Sequence, residues 1–210
     1  INKTLSGRME LEFEGLYKRG LFVTKKDKKD VRAAKKRYAL ADYNDELTIV
    51  GFEYVRRDWC LFARQTQKKV LEEVLVHGSA EKALEIVKQA VTRLKGGQVP
   101  KKELVVLTQL QRRPDAYATI NPHVSAAIKA QARGKKIDVG SMLGFIITQS
   151  GKTISDKAEL EEFVEEGNYD ADYYLNNQLI PAVLRIMAEL GYSEEDLLQG
   201  GKQTGLGAFV

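Results

Sequence analysis

The stretch Lys35–Lys36–Arg37–Tyr38 decides how this sequence reads. Three cations run directly into a tyrosine. Lysine offers a point charge with three donors, and a nearby tyrosine adds an aromatic face that carries a hydroxyl. Taken alone, four such residues read as a solvated charge run at a strand end. The ordered set around them carries more information. Met9–Glu10–Leu11–Glu12–Phe13–Glu14 alternates strictly, Tyr17–Lys18–Arg19–Gly20 follows, and Glu53–Tyr54–Val55–Arg56–Arg57–Asp58–Trp59 comes after the basic stretch.

The chain has 210 residues, enough for one large domain or two small ones with a buried core. Mean hydropathy is −0.34, as in a water-soluble chain. No apolar run approaches the roughly 20 residues that span a bilayer. The opening residues Ile1–Asn2–Lys3 show no apolar signal region. Cys60 is the only cysteine, which excludes an internal disulfide and a cysteine-based zinc cluster, and a cytoplasmic location fits. The two histidines, His77 and His123, exclude a histidine-rich metal site.

The net charge of +4 conceals an asymmetry. Lys25 to Arg37 contains eight basic and two acidic residues, whereas Thr153 to Leu198 contains two basic and twelve acidic ones. Such a distribution suits a surface that faces a polyanion on one side only. It equally suits a solubilising tail.

Periodicity divides the chain. Residues 9–24 read as two strands joined at Gly15 or Gly20, with Leu11 and Phe13 on one face and Glu10, Glu12 and Glu14 on the other. The segment Lys25–Ala34 is polar and aperiodic, and reads as a mobile loop. Arg37–Ala41 and Leu47–Val50 read as a hairpin around Asp42–Tyr43–Asn44–Asp45. From Arg57 the period becomes helical: Trp59, Phe62, Ala63, Thr66, Val70 and Val74 form a stripe that ends at His77–Gly78. Ser79 is an N-cap candidate for a second helix that ends at Gly96–Gly97. Leu104–Leu107 reads as a strand, Pro122 opens a helix to Arg133–Gly134, and Met142–Thr148 is β-rich. Residues 156–168 are acidic and loosely helical. A long helix starts at Asp170 and should kink at Pro181. Ser193 caps a last turn.

The phrases LEFEG, YKRG, KKRY and VRRDW, in this order, resemble the end of the palm and the start of the thumb of family B DNA polymerases. The resemblance continues through Asn121–Pro122–His123–Val124, Tyr169–Asp170–Ala171–Asp172–Tyr173–Tyr174 and Lys202–Gln203–Thr204–Gly205–Leu206–Gly207, and so covers nearly the whole chain. It implies an α+β fold: a small antiparallel palm remnant at residues 1–55, a mainly helical thumb with short strands at residues 56–200, and a tail at residues 201–210. In the family the strand runs almost directly into KKRY, so residues 25–34 look like an insertion.

The resemblance also implies site residues. Glu14 would be an accessory carboxylate beside the Mg2+ ions. Lys35, Lys36, Arg37 and Tyr38 would approach the primer terminus and the minor groove behind it. A lysine there meets purine N3 and pyrimidine O2 acceptors at every base pair, and so can read pairing geometry without reading sequence. Arg56 and Arg57 match the junction phrase. Adjacent arginines cannot share a helix face, so one would meet phosphate and the other Asp58 or a palm carboxylate. Arg112, Tyr117, His123 and Lys129 match positions that present donors to the primer backbone, while His123 is equally read as a core histidine. Trp59, Tyr173 and Tyr174 read as packing residues. In the tail, Gln203, Leu206 and Phe209 have the spacing of a motif that engages the PCNA sliding clamp, and a plain terminus is the alternative.

The family's other motifs are missing. There is no DxxSLYP, no Asp–Thr–Asp turn and no KxxxNSxYG helix in the sequence, nor the exonuclease carboxylates. The resemblance therefore implies a DNA-directed DNA polymerase part that is inactive alone: a cleaved piece, or the small subunit of a split enzyme. Its catalytic aspartates and most of the Mg2+ ligands would come from a large subunit carrying the exonuclease and palm and fingers motifs. Its other partners would be primer–template DNA and the clamp, with no membrane. The alternative is a non-catalytic DNA-binding or clamp-associated protein derived from a thumb.

Overall fold

The computed structural model describes residues 12–27 and 30–198. Residues 12–16 are irregular, so Glu12 and Glu14 do not share a strand face as expected. The first sheet begins at Tyr17. Strand β1 (Tyr17–Asp27) pairs antiparallel with β2 (Asp30–Asp42), which pairs with β3 (Leu47–Val50), in the order β1-β2-β3. Gly20 lies inside β1 opposite Leu40 rather than in a turn. A Cβ on Gly20 would come within 2.8 Å of the Leu40 side chain, so the glycine admits that close pairing.

Two more expectations on this sheet meet different outcomes. The hairpin 37–50 forms as read, with Tyr38 opposite Val50 and Ala41 opposite Leu47. Residues 25–27 and 30–34 are strand, not loop. Their backbone continues the ladder, with Lys25 opposite Arg32 and Asp27 opposite Asp30. Ladder bonds join main-chain groups, so a polar, aperiodic sequence does not forbid them.

Alternation along the strands separates two faces. Leu21, Val23, Ala39 and Ala41 are buried, and they join the same core cluster as the helices that follow. On the opposite face Phe22 is 59% exposed and stacks on Tyr38 with ring centroids 5.9 Å apart. Phe13, Leu16 and Tyr43 are exposed as well.

Helix α1 (Leu61–Glu72) buries Phe62, Ala63, Thr66 and Val70 of the expected stripe, with Gln67 and Leu71 beside them and Trp59 and Val74 half-buried, and runs into a π-helical turn at Glu73–His77. Gly78, at φ 72°, ends it in a left-handed conformation that glycine adopts without a Cβ penalty. Ser79 caps α2 (Ala80–Lys95) by accepting from the Lys82 N–H. Arg19 of β1 donates to the carbonyls of Leu75 and Val76, at 3.2 and 2.9 Å, and so ties the first sheet to the end of α1.

A short helix α3 (Lys101–Leu104) precedes β4 (Val106–Gln109), so the strand begins two residues later than read. Helix α4 (Pro122–Ala132) starts at Pro122 as expected, where a missing N–H costs nothing. Strand β5 (Met142–Ile147) follows. Residues 156–168 are not loosely helical: α5 (Ile154–Lys157) is one turn, β6 (Ala158–Leu160) completes a second sheet ordered β4-β5-β6, and a 3-10 turn spans Glu161–Phe163. Both sheets are antiparallel, and the fold is α+β.

The long helix is interrupted. Asp170 caps α6 (Ala171–Tyr174), a π-helical turn spans Leu175–Leu179, and α7 (Ile180–Glu189) carries Pro181 in its first turn. The widened turn accommodates the missing N–H and the ring of the proline. Tyr174 is fully buried and packs edge-on against Tyr169 and Tyr173, with centroids 6.1 and 5.2 Å away, as packing residues would. Ser193 caps α8 (Glu194–Leu198) through the Asp196 N–H. Among the described residues, no helix is long and apolar enough to cross a membrane.

Candidate nucleic-acid interface

The basic stretch lies on a bulge. The β1–β2 ladder pairs Phe22 with Tyr38, then resumes at Thr24 with Ala33, so residues 34–37 oppose Val23 alone. An expanded strand of this kind bends and re-aims its side chains. Gly51, at φ 71°, supports it: a Cβ there would overlap the Lys36 carbonyl oxygen outright.

Within the bulge the cations part company. The backbone of Lys35 lies in β2. Lys36 is exposed and has no partner among the described residues. Arg37 turns inward, its Nε donating to the Gly51 carbonyl at 3.1 Å and its Nη2 meeting Glu53 Oε1 at 3.2 Å. The geometry thus removes Arg37 from the cations open to solvent. Tyr38 is half-buried, with its ring held on Phe22.

At the junction with the helices, Arg56 and Arg57 also diverge. Arg56 grips Asp58 through two hydrogen bonds, at 3.0 and 2.5 Å, and lies 6.0 Å from the Trp59 ring. The bond to Asp58 is the largest influence on the Arg56 pKa, which is raised. Arg57 is exposed and unpaired among the described residues. It lines a groove of about 310 Å³ with Asp58, Leu107, Thr108, Gln109 and Met142.

The four positions further along do not form one cluster of free donors. Arg112 is exposed, and its side chain has no partner among the described residues. The Tyr117 hydroxyl instead accepts from the backbone N–H groups of Gln111 and Arg112, at 2.9 and 3.2 Å, and so pins their loop. His123 sits in the first turn of α4, edge-on to Tyr117 at 5.7 Å. Burial lowers its pKa, which favours the neutral imidazole. Lys129 differs most from expectation. Its ammonium is engaged within the chain, with the Asp156 carbonyl, the Ala158 carbonyl at 3.1 Å and Glu159 Oε1 at 2.9 Å. All three donors of a lysine are thereby occupied.

Glu14 is exposed on the irregular segment before β1. Among the described residues, no group of three or more histidine, cysteine, aspartate or glutamate side chains could hold a metal ion. Mg2+ takes six oxygen ligands, and one exposed carboxylate does not make such a site. The described residues alone do not fit the ion. Gln203, Leu206 and Phe209 lie outside the described residues.

Three residues of structural weight escaped the sequence reading: Arg19, Glu53 and Gln67. Glu53 offered one signal, an acid flanked by the apolar Phe52 and Tyr54. Charged residues enter a core only with partners.

Comparison with known proteins accords with this architecture. A family model described as DNA polymerase family B matches residues 1–190. A DNA polymerase of Methanocaldococcus jannaschii is 45% identical over 209 residues, covering all of this chain and 12% of the relative. One of Thermococcus gorgonarius is 43% identical over 213 residues, covering all of this chain and 26% of the relative. The solved family B DNA polymerase of Pyrobaculum calidifontis superposes with a TM-score of 0.71 at 32% identity, over 87% of this chain and 23% of that one. The chain thus spans about a quarter or less of the length of these relatives, and it belongs to DNA polymerase family B.

Proposed function

We propose that this chain is the primer–template-binding part of a DNA-directed DNA polymerase that works in DNA replication or repair. In this reading residues 1–55 are the end of the palm, residues 56–200 are the thumb, and the catalytic aspartates come from a partner polypeptide. The observation that carries it is the outer face of the first sheet. There Lys36, exposed and without a partner among the described residues, lies two residues from the half-buried Tyr38, whose ring stacks on the exposed Phe22, and the family resemblance implies a position at the primer end. The apolar part of that face is the seat for the partner's palm, since stacked exposed aromatics on a sheet mark an interaction surface.

Lys36, Tyr38, Arg57, Arg112 and His123 are the side chains proposed to meet DNA. Arg57 and Arg112 supply sequence-independent charge to phosphate. Neutral His123 offers a hydrogen bond rather than a charge. Glu14 would add one outer carboxylate to a Mg2+ site built mainly by the partner. The tail residues Gln203, Leu206 and Phe209 are proposed to reach a sliding clamp, on their spacing alone. A cytoplasmic location goes with this role.

The test is reconstitution. This chain is mixed with a large polypeptide carrying the family's aspartate and exonuclease motifs, and primer extension with Mg2+ is measured for each component and for the mixture. Extension by the mixture, with neither component active alone, is the expected result. Binding of primer–template without extension would instead indicate a non-catalytic DNA-binding or clamp-associated protein.

A further inference from the structure

Glu53 carries a carboxylate that is only 2% exposed, and Gln67 is fully buried beside it. Their bonds join four elements. Arg37 of β2 meets Glu53 Oε1 at 3.2 Å, and the Gln67 side-chain amide donates to Glu53 Oε2 at 2.8 Å. The same amide donates to the Ala182 carbonyl of α7 at 2.6 Å, while Gln67 Oε1 accepts from the Tyr54 N–H at 2.7 Å. The network thus runs from the bulge, through the segment after β3, across α1 and into α7.

A buried ion pair is a poor source of stability, because desolvation offsets most of the attraction and apolar residues often do as well. Its better-attested use is to specify one arrangement. Here the arrangement at stake is the bulge. Arg37 is flanked by Lys36, which is exposed, and by Tyr38, whose ring lies on Phe22 on the outer face. With Arg37 held inward, its neighbours are directed outward. The guanidinium reaches Gly51 and Glu53 at once, in two directions of its planar fork, which an ammonium on a flexible stem cannot reproduce.

We infer that Arg37, Glu53 and Gln67 are positioning residues, a buried polar tie that sets the angle of the Lys36–Tyr38 edge against the helical body. This rests on the reading of Lys36 as a DNA contact in the assembled polymerase. The tie touches no substrate and acts only through the bulge.

The experiment is a double-mutant cycle in the reconstituted enzyme. Glu53→Gln keeps the size and removes the charge. It should slow single-turnover primer extension by about tenfold while the Kd for primer–template changes less than about twofold. The pair Lys36→Ala with Glu53→Gln should be slower than Lys36→Ala alone by clearly less than the roughly tenfold that Glu53→Gln costs by itself, since only Tyr38 is left for the tie to position. Additive losses, or no loss from Glu53→Gln, would overturn the inference. Should Glu53→Gln fail to fold, Arg37→Lys takes its place in the cycle with the same expectations. If the wild-type mixture extends no primer, the polymerase reading fails, and the tie is judged by amide hydrogen exchange on this chain. Faster exchange at residues 36–38 in Glu53→Gln, with α1 and α7 unchanged, supports it. Unchanged exchange at residues 36–38 overturns it.

Discussion

Gly51 lies directly against the carbonyl of Lys36, and this contact between two main chains leaves no room for a side chain. The glycine also holds a left-handed conformation at φ 71°. Gly51→Ala therefore meets strain and overlap together, and should cost more than about 1 kcal/mol of folding stability. Urea unfolding checks this: the midpoint should fall with the slope unchanged.

The Arg19 guanidinium bonds the Leu75 and Val76 carbonyls, groups that the end of a helix leaves without partners. Arg19→Ala should lower stability by about 1–3 kcal/mol, since the bonds are charge-assisted. A thermal melt that falls by several degrees is the expected outcome. An unchanged melt would show that solvent replaces Arg19 without cost.

Lys36 and Lys129 make a contrasting pair. Lys36→Ala in the assembled enzyme should slow single-turnover extension about tenfold to a hundredfold, the value of roughly one charged hydrogen bond, with most duplex affinity retained. Lys129→Ala should lower the unfolding free energy by about 1–3 kcal/mol, because its bonds lie within the chain. It should leave the salt dependence of DNA binding as it was. Arg57→Ala should instead flatten that dependence by about 0.9 in the slope of log K against log salt.

Burial pushes the Cys60 thiol up to about 12, so it stays protonated at pH 8. Native protein should resist a thiol-specific label at that pH for far longer than unfolded protein, as only the thiolate reacts. Labelling at the same rate in both states would count against the packing described around Cys60.

His123 adds a pH dependence of known sign. Its folded pKa lies below the ordinary value of 6.5, so above about pH 6.5 the neutral form costs the fold nothing. As pH falls from 6.5 towards the folded pKa, the unfolded chain binds the proton more readily, and stability declines. Comparing urea midpoints at pH 7.5 and 5.5 should show a larger drop for wild type than for His123→Asn. Equal drops would remove His123 from the account.

Local signals in the sequence were legible where the structure answers them locally. Ser79 capping α2 and Pro122 opening α4 involve partners within a few residues, as does the hairpin from Arg37 to Val50. The candidate site was less legible, because its decisive contacts are distant in sequence. Arg37 pairs with Glu53, and Lys129 with Glu159, while Arg57 stays open although it adjoins Arg56. Four cations of similar appearance thus divide into struts and free charges, and only the third dimension tells them apart. The hairpin at residues 25–34 was missed for another reason. Main-chain pairing imposes no apolar period on the residues that it joins.

The π-helical turn at Leu175–Leu179 has a consequence for winding phase. Tyr174, Gln178, Ala182 and Ile186 are all buried, as are Leu175, Leu179, Val183 and Met187, each four residues apart. In an ordinary helix every step of four overshoots by about 40°, so three steps would carry the last residue about 120° round, off the buried stripe. The extra residue of the wide turn takes up that drift. This segment therefore holds one residue in reserve. Deleting any one of residues 175–179 would leave an ordinary helix in which Ala182 lies seven residues and Ile186 eleven residues from Tyr174, each within about 20° of it, so the buried stripe would be kept. Here the chain can lose a residue and keep its phase, which a regular helix cannot do.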